Sequence, residues 1–564
     1  MEKSGKVYLV GAGPGDAELL TKKAERVLQE ADVIFYDSLV GDAILARMPA
    51  RCRKVPVGKR SGNHLVRQED TNRMLLEEAQ AGSCVVRLKG GDPFLFGRGG
   101  EELELLAAHG IPFEVVPGVT SAVAVPAYAG IPVTHRDFTS SVHIITGHRR
   151  AGEADPLNYP ALVRAGGTLV FLMGVRALPE ICAGLQAAGM APETPAAVLE
   201  RGTTAAQRRV TATLATLPEE SSRAEIGMPA IIVVGEVCSC AEQFAWAENR
   251  PLAGEKILLM RPRHLIREFA ERLRGKGAEV LEVPLIETRL ICENPRLDTA
   301  VTDLETYQWI VFTSPTGVRL FFEKLAAGRT DLRRLAHCRF AVIGEGSRRE
   351  LEQRGFFPEL MPEVYTGEAL GKELRDQIFT EILEAEGQEI EAQEAKSQEV
   401  ERQEAKSREV EDQEGREQKA QKQESEAQEI KGQKAPRKEM ASKVKILIPR
   451  AKKGNPALPE LLAEFSVDDI PLYETVSLSS EVIDLSEKFR QKEISIAVFT
   501  SASMVRAFAA EVSEIDFGAV RAACIGEQTA AAARSLGMQV FVSRKAAIES
   551  LEELIMQMHT AGAV

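Results

Sequence analysis

Residues 89–102 read KGGDPFLFGRGGEE. The stretch follows SCVVRL (83–88), a short apolar run that reads as a strand, and precedes LELLAAHG (103–110), a helix closed by glycine. A glycine pair at a strand end lets a ligand approach main-chain atoms that a side chain would block. Arg98, Glu101 and Glu102 add charge at the helix start. A plain turn needs a single glycine, so the stretch reads as a binding or catalytic loop.

A second loop of this kind opens the chain. The run VYLV (7–10) leads into GAGPGD (11–16) and then into a helix. Glycine-rich strand-to-helix turns suit anions, because main-chain N–H groups at the helix start point at them. As a dinucleotide fingerprint the match is incomplete. Pro14 removes one N–H donor, and the acid expected about twenty residues later is either Asp32 or Asp37.

Further motifs follow in order: YDSLV (36–40), VGKRSG (57–62), VPGVTSA (116–122), AYAGIPVTHRD (127–137), TLVFLMG (168–174) and ERGTTAAQR (200–208). Together with the two loops they closely resemble the uroporphyrinogen-III C-methyltransferases of the tetrapyrrole methylase family, over roughly residues 5–245. The resemblance implies two α/β domains with S-adenosylmethionine in the cleft between them, in a homodimer. It implies two methyl transfers to ring carbons of uroporphyrinogen III, giving precorrin-2, the entry to sirohaem and cobalamin. Matched residue by residue, cofactor contacts fall on Pro14, Gly90, Gly91, Asp92, Leu95, Thr120, Ser121, Met173 and Gly202. The proton acceptor and donor fall on Asp37 and Lys59, with Glu101 a second candidate base. Arg98 and Arg136 fall where the substrate is handled. No metal is implied.

The chemistry suits these residue types. A sulfonium methyl is already electrophilic and a reduced pyrrole carbon is electron-rich, so placement matters more than activation. A proton must leave the macrocycle, which calls for a carboxylate within reach; Asp37 and Glu101 both qualify. Eight substrate carboxylates call for cations that bind in a bidentate way, and Arg87, Arg98 and Arg136 are available. Each residue also has a structural reading. Asp37, Thr120 and Ser121 suit turn or helix caps, Lys59 a solvated turn, and Met173 an apolar core.

The second half repeats itself. KILLMRPR (256–263), VPLIET (283–288), WIVFTSPTGVRLFF (309–322) and FAVIGEGSRRELEQRGF (340–356) return as KILIPRAK (445–452), IPLYET (470–475), IAVFTSASMVRAFA (496–509) and AACIGEQTAAAARSLGM (522–538). Each copy alternates β-branched strands with helices, a parallel α/β pattern. The repeat resembles uroporphyrinogen-III synthase over about 251–379 and 443–559. That resemblance implies two α/β domains, each drawing on both halves, joined by two extended linkers. It also implies cyclisation of hydroxymethylbilane to uroporphyrinogen III. Thr313, Ser314, Thr500 and Ser501 follow strands and present hydroxyls; Tyr365 and Thr366 match a contact site, and Tyr473 is a candidate for assisting loss of the substrate hydroxyl. Ala546 and Ala547 replace that tyrosine and threonine in the second copy, and Met260 stands where threonine is common. A C-terminal half that only binds tetrapyrrole is therefore the competing expectation.

Residues 384–440 differ in kind. QEAKSQEVER (393–402) repeats as QEAKSREVED (403–412), and the segment carries seventeen acidic against eleven basic residues with no aromatic. Such a composition cannot bury a core; disorder or a lone solvated helix is expected. The expected organisation is a methyltransferase at 1–248, synthase parts at 251–379 and 443–564, and the charged segment at 380–442. The net charge of −13 argues against nucleic-acid binding. No apolar run is long enough to span a bilayer, and the first residues, MEKSGKVYLV, read as a lead into a strand, so no cleavable signal is expected. The eight cysteines form no ligand set, so a cytoplasmic location with reduced thiols is expected.

Overall fold

The computed structural model describes residues 5–58, 67–147, 157–408 and 440–562. Among the described residues, twenty strands form four five-stranded sheets. In chain order they are β1 Lys6–Gly11, β2 Val33–Tyr36, β3 Arg53–Pro56, β4 Cys84–Lys89, β5 Phe113–Val116, β6 Val142–Thr146, β7 Thr168–Leu172, β8 Pro195–Glu200, β9 Arg208–Thr213 and β10 Ala230–Val234. Then come β11 Lys256–Leu259, β12 Glu279–Glu282, β13 Ile286–Leu290, β14 Trp309–Phe312, β15 Arg339–Val342, β16 Lys445–Ala451, β17 Ser466–Ser477, β18 Ile496–Phe499, β19 Arg521–Cys524 and β20 Gln539–Val542.

The first sheet has the order β3-β2-β4-β1-β5 and is parallel throughout. Parallel strands are covered on both faces, and the sequence provides for that by alternation. Val10, Ile34, Tyr36, Val86 and Leu88 feed one apolar cluster; Val7, Leu9, Val33, Phe35 and Val85 feed the other. The order reverses around β1, so the loops after β1, β2, β4 and β5 share the carboxyl edge, the ligand edge of open α/β sheets. The second sheet, β6-β7-β10-β8-β9, is mixed: β6 and β7 are parallel, while β10 runs against β7 and β8, and β9 against β8.

The third sheet is β12-β11-β18-β19-β20 and the fourth β13-β17-β16-β14-β15. Each takes strands from both copies of the internal repeat, as the resemblance implies. The chain forms two compact units, Met1–Glu287 with Ser477–Val564 and Thr288–Val476, so it passes between them twice. The third sheet belongs to the unit that holds the methylase-like part.

The helix Gly367–Arg408 leaves the second unit's core with Leu370, Leu374, Ile378 and Ile382 packed against Leu458 and Phe465. A spacing of four puts these side chains on one face. From Glu384 the described side chains are exposed, as a solvated helix requires; residues 409–439 lie outside the described residues. Ile382 and Ala441 belong to the same buried cluster, with Met440 against it. Both lie just outside 384–440, the stretch whose composition departs from the rest, and inside the wider 380–442 bounds. Among the described residues no helix is long and apolar enough to cross a membrane.

Candidate active sites

Three loops meet main chain to main chain at the carboxyl edge of the first sheet. Ala12 N–H donates to Lys89 O at 2.7 Å, and Gly13 and Gly91 exchange hydrogen bonds of 3.2 and 2.8 Å. A Cβ on Gly11 would lie 2.5 Å from Gly118 Cα and 2.6 Å from Gly91 O, so no side chain fits at this crossing. Gly91 has φ 66°, and a Cβ there would meet nothing within 4 Å. Its backbone faces open space, which fits a ligand approaching the main chain. Asp92 locks the arrangement: Oδ1 accepts from the N–H of Phe94 and Leu95 at 2.8 and 3.2 Å, and Oδ2 from Gly118 N–H at 3.1 Å. Pro14, Gly90, Gly91 and Asp92 are thereby brought together. Thr120, two residues past Gly118, caps helix Ser121–Tyr128 through Ala122 N–H.

The second sheet contributes two more expected contacts. Thr203 Oγ1 accepts from Asp16 N–H at 3.2 Å, which ties the loop holding Gly202 to the loop after β1. Met173 ends β7 with φ 55° and is 54% exposed, so the core reading of this residue is wrong. Phe96, Arg98, Arg201 and Thr203 also have positive φ. Each such residue stores strain, which persists where the surroundings over-determine it and gathers at functional sites. Among the described residues, five of the nine non-glycine residues with positive φ sit in these motif loops.

Beneath the loops lies a buried charge network. Arg87 Nη2 donates to Asp37 Oδ1 at 2.6 Å and its Nε to Glu102 Oε1 at 3.0 Å. Lys89 Nζ and Gln68 Nε2 reach the same Glu102 oxygen at 2.9 and 3.0 Å. Glu102 is fully buried and Arg87 only 4% exposed. Arg87 is thus not a cation available to substrate, a correction to the sequence reading. It anchors Asp37, whose side chain stays 26% exposed at the end of β2. Burial, and then the Arg87 guanidinium, push the Lys89 ammonium below its ordinary value. Asp32 instead accepts from Cys84 N–H at 2.8 Å at the amino ends of the strands, which leaves Asp37 as the acid on the ligand edge. Glu101 is about half exposed and paired with Arg98 at 2.9 and 2.5 Å. Arg136 is exposed, and Lys59 lies outside the described residues.

In the second unit, Ser314, Gly344 and Tyr473 gather at the carboxyl edge of the fourth sheet. Ser314 follows β14, caps helix Pro315–Ala327 through Gly317 N–H and shares a 2.8 Å hydrogen bond with Tyr473 Oη. Tyr473 pairs in register with Ala451 at the end of β16. It is 7% exposed, and burial raises its phenol. Tyr365 is 57% exposed with its ring against Gly344, and Thr366 Oγ1 accepts from Ala369 N–H at 3.1 Å. Thr313 is half-buried beside Ser314. In the first unit, Ser501 caps helix Ala502–Glu511 after β18, and Thr500 Oγ1 is buried without a hydrogen-bond partner among the described residues. Ser314 and Ser501 both cap a helix at the carboxyl edge of their sheets.

Residues 6–218 match the tetrapyrrole (corrin/porphyrin) methylases, and residues 267–411 and 416–553 match uroporphyrinogen-III synthase HemD. The chain is 37% identical to the porphyrin biosynthesis protein HemD of Ruminiclostridium josui, over 98% of both chains. It is 41% identical to the uroporphyrinogen-III C-methyltransferase of Bacillus subtilis over 63% of this chain and 72% of that one. The siroheme synthase of Pseudomonas fluorescens is 53% identical over 44% of this chain and 53% of its own length. Two α/β modules, each with a polar edge at the carboxyl ends of its strands, define a bifunctional enzyme of tetrapyrrole biosynthesis. The chain belongs to the tetrapyrrole methylases over its first part and to the uroporphyrinogen-III synthases over the rest.

Proposed function

We propose that the chain cyclises hydroxymethylbilane to uroporphyrinogen III and methylates that product twice, giving precorrin-2 for the sirohaem or cobalamin branch. The observation that carries this reading is the crossing of the Gly11, Gly91 and Gly118 loops beside Asp37, on the ligand edge of one sheet. S-adenosylmethionine supplies a sulfonium methyl when bound. Pro14, Gly90, Gly91, Asp92, Leu95, Thr120, Ser121, Met173 and Gly202 hold it in this reading, and the open space at Gly91 fits it.

Asp37 takes the proton released by the macrocycle, and Lys59 returns one. Asp37 and Glu101 are each paired with an arginine; the place of Asp37 at the end of β2, on the ligand edge, favours it as the base. Arg98 and Arg136 bind substrate carboxylates; Arg98 exchanges Glu101 for substrate. In the synthase part, Thr313, Ser314, Tyr365, Thr366, Thr500 and Ser501 hold the bilane, and Tyr473, fixed by Ser314, donates to the departing hydroxyl. The enzyme works in the cytoplasm as a homodimer through its methylase part.

Incubation with hydroxymethylbilane and S-adenosylmethionine tests the reading. A type III product carrying two added methyl groups is expected. A type I product, or an unmethylated one, rejects the corresponding half.

A further inference from the structure

The third sheet meets the methylase part through its amino edge. Lys256 opens β11 and Glu279 opens β12. Lys256 Nζ lies 2.7 Å from Asp42 Oδ2, 3.1 Å from Glu279 Oε1 and 3.6 Å from Glu493 Oε2, and Lys488 Nζ lies 2.8 Å from both Asp42 and Glu493. Burial works against the charge on Lys256, but Glu279 and Asp42 outweigh it and hold the ammonium above its ordinary value. The apolar cluster under the first sheet also continues from Ala43 and Ile44 into Leu281, Val283 and Leu285.

The second oxygen of Glu279 does something else. Oε2 accepts from the N–H of Ala205 at 2.9 Å. Ala205 stands three residues beyond Gly202, in the loop whose Thr203 Oγ1 takes Asp16 N–H. Through Lys256 the same carboxylate reaches Asp42, which opens helix Asp42–Leu45 just after the turn that begins at Asp37. One synthase-side carboxylate thus holds the 201–207 loop directly and the loop after β2 through Lys256. A cavity of about 270 Å³ lies behind them, lined by Asp16, Tyr128, Thr203, Ala205, Arg250 and Glu279. Two of its lining groups pair with each other, Tyr128 Oη donating to Asp16 Oδ2 at 2.8 Å. None of the nine expected donor contacts lines it. The loops therefore span open space there and depend on point contacts such as Glu279 for their position.

We infer that Glu279, a residue of the synthase part, is a positioning residue for methyl transfer: it braces the 201–207 loop against the methyl donor. The inference rests on Gly202 being a donor contact. Glu279 sits at the opposite end of its strand from the carboxyl edge where Thr500 and Ser501 lie, so cyclisation does not call on it.

Full-length Glu279→Ala and Glu279→Gln test this. Glutamine keeps an acceptor for Ala205 N–H and alanine does not. S-adenosylhomocysteine affinity, read by calorimetry, is expected to fall about fivefold or more in E279A and to recover in E279Q, since one part-buried hydrogen bond is lost and then restored. Formation of uroporphyrinogen III stays at the wild-type rate in both. Hydrogen exchange of the 201–207 amides is expected to speed up in E279A alone. Unchanged affinity and unchanged exchange in a folded E279A overturn the inference. If E279A does not fold, wild-type exchange at Ala205 decides: protection supports the brace, and exchange as fast as an open loop refutes it. A wild-type chain that binds no S-adenosylhomocysteine sinks the donor-site reading instead, while the exchange measurement still reports on the brace.

Discussion

Glu102→Gln removes the one carboxylate that balances Arg87 and Lys89 in a site where none of the three is more than 5% exposed. Arg87 keeps Asp37 as a partner; Lys89 keeps none among the described residues. Removing one member of a buried ion pair costs about 3–5 kcal/mol, because the survivor is left charged and dry. Lys89 has a way out. Its ammonium is already held below its ordinary value, and shedding the proton costs about 1.4 kcal/mol for each pH unit by which its pKa exceeds the ambient pH. The expected loss is therefore at the low end, about 3 kcal/mol. A companion Lys89→Met should restore most of it, with a coupling of about 2 kcal/mol in the double-mutant cycle. A chain with several domains does not unfold in one step, so local opening is the quantity to measure, by hydrogen exchange of the β4 amides. High salt should leave the difference intact, since buried pairs are screened little. A loss below about 0.5 kcal/mol, or no recovery with K89M, would refute the network as drawn.

Asp37→Asn should lower methyl transfer by about 10²–10⁴-fold with S-adenosylhomocysteine affinity kept; equal loss in calorimetry and rate would make Asp37 a binding residue instead. Asp42→Asn leaves Lys256 and Lys488 each short of a partner and should cost about 3 kcal/mol at neutral pH. The Asp42 carboxyl is held below its ordinary 3.8, with Lys256 and Lys488 outweighing its burial. Its contribution is thus complete above 3.8 and fades as pH falls through the folded value. Melting curves of wild type and D42N should converge in acid, and a gap that persists at the lowest pH would contradict this. Tyr473→Phe removes the Ser314 hydrogen bond, costs about 1 kcal/mol, and should slow cyclisation without changing methyl transfer; product isomer analysis by chromatography reads it.

Much of this was legible in the chain. The glycine loops announced themselves because close backbone crossings admit no other residue, and the apolar runs VYLV and SCVVRL before them marked strands. The synthase half was legible as a repeat, since both copies keep their strands in the same order. Arg87 was misread as a substrate cation. Yet its place inside VVRLK, between buried Val86 and Leu88, was a signal: a charge in a doubly covered strand must find its partner indoors. The joint was not legible. Asp42 and Lys256 are 214 residues apart, and no local pattern marks two charges that meet only after the sheets have formed. Thr203 and Tyr128 escaped notice for the same reason, each meeting Asp16 from more than a hundred residues away.

Ile382 and Ala441 enter one apolar cluster, so the chain before and after the charged segment is anchored in the same core. A change of length between two such anchors leaves the packing of that core untouched. Copy number of the QEAKS unit can therefore drift by slippage without threatening either catalyst. The tract is a place where this gene can lengthen or shorten almost silently.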